Sequence, residues 1–274
     1  LVTDPHFEED PVTGKVLEFA IKRRKNILLV GPTGCGKSSL AVYKAANLKE
    51  RLEVFPCSGE TSTEELIGKP WITEKNGQRV TVSVFGAAIR AYKNGKGLLL
   101  EEVDMANPDI LACMHRIMET QSSFYVTNIG EQEVIQKHQG FFVIATSNTI
   151  GTGEDTFMYA GTKPLNMAFM NRFSLTVRMD YLPPDKERKV LIAKTGIDAN
   201  VAKTMVSVAG EVRKARTTGT NRVVTVISTR DLLEWADAVV GMSMTPVEAS
   251  WYAFLNRATE SDQDVIKDFI QNAF

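Results

Sequence analysis

The sequence is poor in the residues that mark secreted, metal-caged or membrane-embedded chains. Among 274 residues there are three cysteines, Cys35, Cys57 and Cys113. Three thiols cannot pair completely, and Cys35 falls in a glycine-rich loop that a disulfide would obstruct, so a reducing cytoplasm is the expected setting. The three histidines, His6, His115 and His138, have no metal-ligand spacing to one another or to a cysteine pair, which argues against a zinc site. No apolar run approaches the ~20 residues that span a bilayer, and the N-terminus lacks the charged and apolar regions of a signal peptide, so no membrane role is expected. Neither sign of charge dominates. With 32 basic and 33 acidic residues the formal net charge is -1, and no global field favours nucleic acid or an anionic surface. The one visible basic cluster, Lys22-Arg23-Arg24-Lys25, reads as a solvated helix end. The remainder is ordinary for a soluble globular protein, and the length suffices for one large or two modest domains.

Against that background one segment stands out. Residues Gly31 to Ser38 read GPTGCGKS, directly after the apolar run Ile27-Leu28-Leu29-Val30 and before a helical stretch, Ser39 to Leu48. Strand, glycine loop and helix in that order are what triphosphate binding requires. Gly31, Gly34 and Gly36 let backbone N–H groups turn inward around the phosphates. Lys37 places an ammonium near the β and γ phosphates, and Ser38 offers a hydroxyl to Mg²⁺. The following helix points its positive end at the same anion. The candidate nucleotide-binding residues are thus Gly31, Pro32, Thr33, Gly34, Cys35, Gly36, Lys37, Ser38 and Ser39, with ATP and Mg²⁺ as the expected ligands.

The first two thirds of the chain alternate strand-like and helix-like segments, which predicts a parallel sheet covered by helices. Candidate strands are Ile27 to Val30, Glu53 to Pro56, Leu98 to Glu101, Phe141 to Thr146 and Ser174 to Arg178, with helical periodicity at Phe85 to Tyr92 and Asp109 to Thr120. Two inserted hairpins are expected, Trp71 to Val84 with a turn at Asn76-Gly77, and Ser123 to Gln139 with a turn near Asn128 to Gly130. After Tyr181-Leu182-Pro183-Pro184 helices take over, so a boundary is placed there, with an α/β core over 1–180 and a small helical lid over 181–274. Within the lid, Asp198 to Arg216 and Thr229 to Val240 read as long helices, Thr245-Pro246-Val247-Glu248 as a capping box, and Ser261 with Asp264 as the start of the last helix.

Gly97-Leu98-Leu99-Leu100-Glu101-Glu102 is an apolar strand ending in two carboxylates, where a phosphate-loop enzyme holds Mg²⁺ and a water-activating base. Side chains alternate along a strand, so Glu101 is expected to address the metal and Glu102 the attacking water. Phe141 to Asn148 is a second buried strand whose terminal Asn148 can orient that water, though an asparagine there also suits a turn. Arg172, in Asn171-Arg172-Phe173, closes a helix before the next strand. Arg230 sits in the first turn of a lid helix, the end where a cation is unfavourable for the helix itself.

This set resembles the AAA+ ATPases, and in particular the MoxR-like branch with the CobS-type ATPase subunits of aerobic cobaltochelatase. The likeness runs over nearly the whole chain. It is carried by Phe7-Glu8-Glu9-Asp10, Arg23-Arg24, Leu66-Ile67-Gly68-Lys69, Glu102-Val103-Asp104 with Pro108-Asp109, and a block from Ala145-Thr146-Ser147-Asn148-Thr149 through Gly151, Tyr159, Gly161-Thr162, Asn166 and Met170-Asn171-Arg172 to Tyr181-Leu182-Pro183. The resemblance implies that Asn148 is sensor 1, Arg172 an arginine finger supplied to a neighbouring subunit and Arg230 sensor 2. It further implies a homo-oligomer, most simply a six-membered ring, with the nucleotide between core and lid, and a partner protein bearing a von Willebrand factor A domain. The work would be metal insertion into a tetrapyrrole or remodelling of a metalloenzyme. Two positions depart from the family pattern: Glu101 stands where an aspartate is usual, and Asn171 where an acidic residue often precedes the finger. A P-loop small-molecule kinase, a nucleic-acid-translocating motor and a weakly hydrolysing scaffold remain as alternatives.

Overall fold

The computed structural model describes residues 4–119, 123–126, 133–149, 165–218 and 223–274. In chain order it contains α1 (Pro11–Lys22), β1 (Ile27–Val30), α2 (Lys37–Asn47), β2 (Leu52–Pro56), α3 (Thr63–Ile67), β3 (Gly68–Lys75), β4 (Gln78–Phe85), α4 (Ala87–Asn94), β5 (Gly97–Glu101), α5 (Pro108–Ile117), β6 (Ser123–Val126), β7 (Glu133–Gln136), β8 (Phe142–Ser147), α6 (Met167–Met170) and β9 (Leu175–Arg178). The helices α7 (Pro184–Thr195), α8 (Ala199–Thr218), α9 (Thr229–Met242), α10 (Pro246–Ala253) and α11 (Glu260–Ala273) follow.

Five strands form one parallel sheet in the order β2-β5-β8-β1-β9. Their sequences explain the order. β1 and β8 are buried at every position and β5 at every position but its last, as strands covered on both faces by helices must be. At the edges, β2 and β9 keep exposed or half-exposed side chains. Because all five strands run the same way, the chain leaves β1, β5 and β8 along one edge of the sheet, where α/β folds hold their ligands.

β3 and β4 pair antiparallel from Gly68↔Phe85 to Lys75↔Gln78, so the first hairpin is slightly longer than its sequence suggested. Asn76 (φ 54°) and Gly77 (φ 75°) are both left-handed, the two-residue turn that matches strand twist. β6 and β7 form the second hairpin. Its expected turn at Asn128 to Gly130 lies outside the described residues, as do Gly151, Tyr159 and Gly161-Thr162.

The contacts divide the chain into two compact units. One comprises Pro11–Gly31 and Lys37–Met179, the other Asp4–Asp10, Pro32–Gly36 and Asp180–Phe274. The second unit is built around Trp235, fully buried, which meets Phe254 edge-to-face at 5.2 Å and donates its indole N–H to the Pro246 carbonyl at 2.7 Å. Capping boxes start α9 (Ser228 with Asp231) and α10 (Thr245 with Glu248). The start assigned to the last helix from sequence is corrected: Thr259, not Ser261, is the cap, its hydroxyl accepting from the Asp262 N–H at 3.3 Å. Asp262 is buried, and its carboxylate accepts the N–H groups of Val224 and Thr225, a distant role that a local motif does not reveal. No helix of the described residues is long and apolar enough to cross a membrane.

Candidate active site

Val30 of β1 lies beside Ser147 of β8, and the next N–H, that of Gly31, donates to the Ser147 carbonyl at 3.2 Å. The loop then passes through Gly34 (φ 75°) and Gly36 (φ 95°), conformations that side chains resist, and between them the Cys35 N–H donates to the Pro32 carbonyl at 3.3 Å. The helix α2 begins at Lys37, and the N–H groups of its first turn have no acceptor within the helix itself. The Lys37 side chain is only 8% exposed. Its ammonium donates to the Gly31 carbonyl at 2.7 Å and to Oδ1 of Asn148 at 2.9 Å. The structure therefore joins the loop cation to the amide at the end of β8.

The two carboxylates are arranged differently from the strand alternation expected of them. Glu101 is the last residue of β5, but Glu102 has left the strand, with φ 54° and ψ 49°. A left-handed non-glycine residue costs about 1–2 kcal/mol and persists where its surroundings fix it. Here the Glu102 N–H donates to Oγ1 of Thr146 on β8 at 3.1 Å, and its carbonyl accepts from the Met105 N–H at 2.8 Å. The peptide turn, not pleating, separates the two side chains.

Sequence reasoning missed the residue that ties these loops together. Asp104 has no exposed surface, and its Oδ2 accepts the N–H groups of Asn148 and Thr149 at 3.0 and 3.1 Å and the Thr149 hydroxyl at 3.2 Å. An acidic side chain three residues beyond the end of a strand carries no periodic signal; only the fold places it under β8. Cys57 lies near the same carboxylates. Burial first, then the charges of Asp104, Glu101 and Glu102, push its thiol up to about 12, so it stays protonated at neutral pH and is no nucleophile.

Residues 26–173 match the AAA domain family (dynein-related subfamily), and residues 187–272 match the CbbQ/NirQ/NorQ C-terminal family. The aerobic cobaltochelatase subunit CobS of a Sinorhizobium species is 31% identical over 281 aligned residues, spanning 99% of this chain and 82% of that protein. The chain is an AAA+ ATPase. It belongs to the MoxR/CobS-like type within that family. Midasin of Dictyostelium discoideum is 27% identical across 93% of the ATPase, which corresponds to 4% of midasin. Among solved structures, the Thermotoga maritima RuvB Holliday junction branch migration motor shares the fold with a TM-score of 0.52, at 14% identity over 96% of the ATPase and 69% of RuvB.

The donors fit a magnesium nucleotide. Mg²⁺ takes one or two side-chain oxygens beside phosphate oxygens and waters; Ser38 in the first turn of α2 and Glu101 at the end of β5 would hold it. No cage of three His, Cys, Asp or Glu side chains exists among the described residues, and phosphate oxygens would have to supply further ligands. When bound, the ion neutralises charge on the β and γ phosphate oxygens.

The two arginines named from sequence have different surroundings. Arg230 is exposed in the first turn of α9. A side chain added at Gly34 would overlap the Ser228 hydroxyl at 2.4 Å and touch the Arg230 Cβ at 3.8 Å, so the loop glycine adjoins the start of α9. Arg172 follows α6, and its carbonyl accepts from Asn26 Nδ2 at 3.2 Å. Asn26 precedes β1 and Gly31 follows it, so five residue steps at ~3.3 Å set the Arg172 carbonyl roughly 16 Å from Gly31, at the other end of that strand.

Asp104 gives a stability test of this wiring. Asp104→Ala removes the acceptor of the half-buried Asn148 N–H and leaves the Thr149 N–H only Ser147 Oγ at 3.3 Å, so it is expected to lower the unfolding free energy by about 2 kcal/mol, whereas Asp104→Asn retains an acceptor and loses less than half of that. Urea denaturation measures both; equal losses would mean that the three hydrogen bonds do not carry the effect.

Proposed function

We propose that the ATPase is one subunit of a Mg-ATP-dependent ring, most simply of six copies, that works on a partner protein. Lys37 and the loop from Gly31 to Ser39 bind the phosphates, Ser38 and Glu101 address Mg²⁺, Glu102 is the general base for water and Asn148 orients that water. Arg172 serves the nucleotide of the adjacent copy, and Arg230 is the second sensor. Residues 1–180 act as the ATPase core and 181–274 as the lid. The hairpins β3–β4 and β6–β7 pass motion to the partner.

The observation that supports the reading is the position of Arg172, whose carbonyl is bonded to Asn26 at the end of β1 remote from Gly31 and whose side chain is held there by His115 and Glu119. The partner is proposed to carry a von Willebrand factor A domain, and the work to be metal insertion or remodelling of the cobaltochelatase type. Likeness to a protein named as a cobaltochelatase subunit over 99% of the chain supports this. The reading is tested by turnover against protein concentration, in parallel with sedimentation in ATP and Mg²⁺. Specific activity is expected to rise as closed oligomers form. A monomer with concentration-independent turnover would remove the ring and favour a phosphotransferase acting alone.

A further inference from the structure

A guanidinium has a side edge, Nε with Nη2, and an end edge, Nη1 with Nη2, and the two can be engaged separately. In Arg213 both are filled: Nε donates to the Ile227 carbonyl at 2.8 Å, while Nη1 and Nη2 each meet a Glu187 oxygen at 2.9 Å. That arginine is fully committed to its own fold. Arg172 differs. Its Nε donates to Nε2 of His115 at 3.2 Å and its Nη2 to Oε1 of Glu119 at 2.9 Å, while Nη1 makes no hydrogen bond among the described residues. His115 and Glu119 stand four residues apart at the C-terminal end of α5, with His115 Nδ1 3.8 Å from the same carboxylate oxygen. The Arg172 side chain is 34% exposed.

We propose that Glu119 and His115 are positioning residues for Arg172, gripping the side edge so that the end edge is presented outward to a phosphoryl group on a neighbouring copy. The inference rests on the reading of Arg172 as a residue supplied in trans. A carboxylate that merely sequestered the arginine would take the end fork, as Glu187 does with Arg213, because two parallel N–H···O bonds are the stronger arrangement. Glu119 instead takes one N–H at the side and leaves the fork that suits phosphate. His115 accepts through Nε2, and its Nδ1 lies on the side of Glu119. A long side chain ordered beforehand loses less freedom when it meets its target.

The test is a mutant cycle on the assembled oligomer, read as kcat and KM for ATP. Glu119→Ala is expected to lower kcat about tenfold with KM within about twofold, and to cause no further loss when Arg172 is already alanine. Glu119→Gln, which retains an acceptor oxygen at the same reach, should fall between parent and Glu119→Ala. An unchanged or raised kcat in Glu119→Ala overturns the proposal in favour of sequestration, and an equal loss on the Arg172→Ala background overturns it in favour of a structural role. If Glu119→Ala does not assemble, Glu119→Gln is taken through the same cycle: a loss confined to the Arg172 background supports positioning, and no loss or an equal loss on both overturns it. Parental turnover by Arg172→Ala itself would instead remove the in-trans reading and this inference with it, a failure visible in a separate variant.

Discussion

Arg172→Ala is expected to bind ATP nearly as well as the parent and to hydrolyse it about 10³- to 10⁵-fold more slowly, the range an arginine finger contributes to phosphoryl transfer. Affinity should be spared because the guanidinium is held by His115 and Glu119, beside the end of β1 remote from Gly31, while the phosphates are proposed to bind at Lys37 and the loop. Turnover falls because the charge developing on the transferred phosphoryl loses its partner. Mixing supplies the decisive control. A Lys37→Ala protein is expected to bind no nucleotide but still to present Arg172. In a random one-to-one mixture about a quarter of interfaces then join an intact loop to an intact arginine, so partial activity returns from two inert proteins. Absence of rescue, with normal assembly of the mixture, would show that Arg172 does not act across an interface.

Glu102→Gln should trap the ATPase with ATP bound and depress hydrolysis by about 10²- to 10⁴-fold, the usual contribution of a positioned general base. The substitution preserves shape. The backbone of Glu102 is fixed by Thr146 Oγ1 and the Met105 N–H, so an amide takes the carboxylate's place without disturbing the turn. What disappears is the capacity to take a proton from water. Calorimetry should report affinity close to that of the parent, and single-turnover kinetics the loss. If Glu101→Gln proves the more inert of the two while still binding ATP, the roles given to the carboxylates are reversed. The trapped form is also the bait with which to recover the partner and look for a von Willebrand factor A domain.

The elements that sequence discloses are those whose signal is local. The glycine loop, the apolar runs of β1, β5 and β8, and the Asn76-Gly77 turn each state their conformation within a few residues. Lys37 and Asn148 could be nominated separately, one from a motif and the other from the end of a strand, but their contact at 2.9 Å spans 111 positions and exists only through the pairing of β1 with β8. Asp104 was visible only as part of the Glu102-Val103-Asp104 motif, without a role, and Glu119 not at all, for the same reason. Their importance lies in what they touch, Asn148 and Arg172, and neither contact leaves a periodic trace. Glu102 misled because an acidic pair after an apolar run looks like continued strand. The left-handed turn that separates the pair is held by the Thr146 hydroxyl on the neighbouring strand, a partner 44 residues away.

On the proposed reading, the four residues of β1 would separate a receiving edge, at Gly31, from a giving edge, beside Asn26. That short strand gives each copy a polarity. Copies that satisfy both edges associate heterologously, head to tail, and such a series ends only by closing on itself or by growing as an open filament. In an unclosed series the copy at one terminus holds nucleotide with no arginine to meet it, and the copy at the other offers an arginine to nothing. Closure therefore matters for more than shape: it is the arrangement in which the number of complete catalytic sites equals the number of subunits.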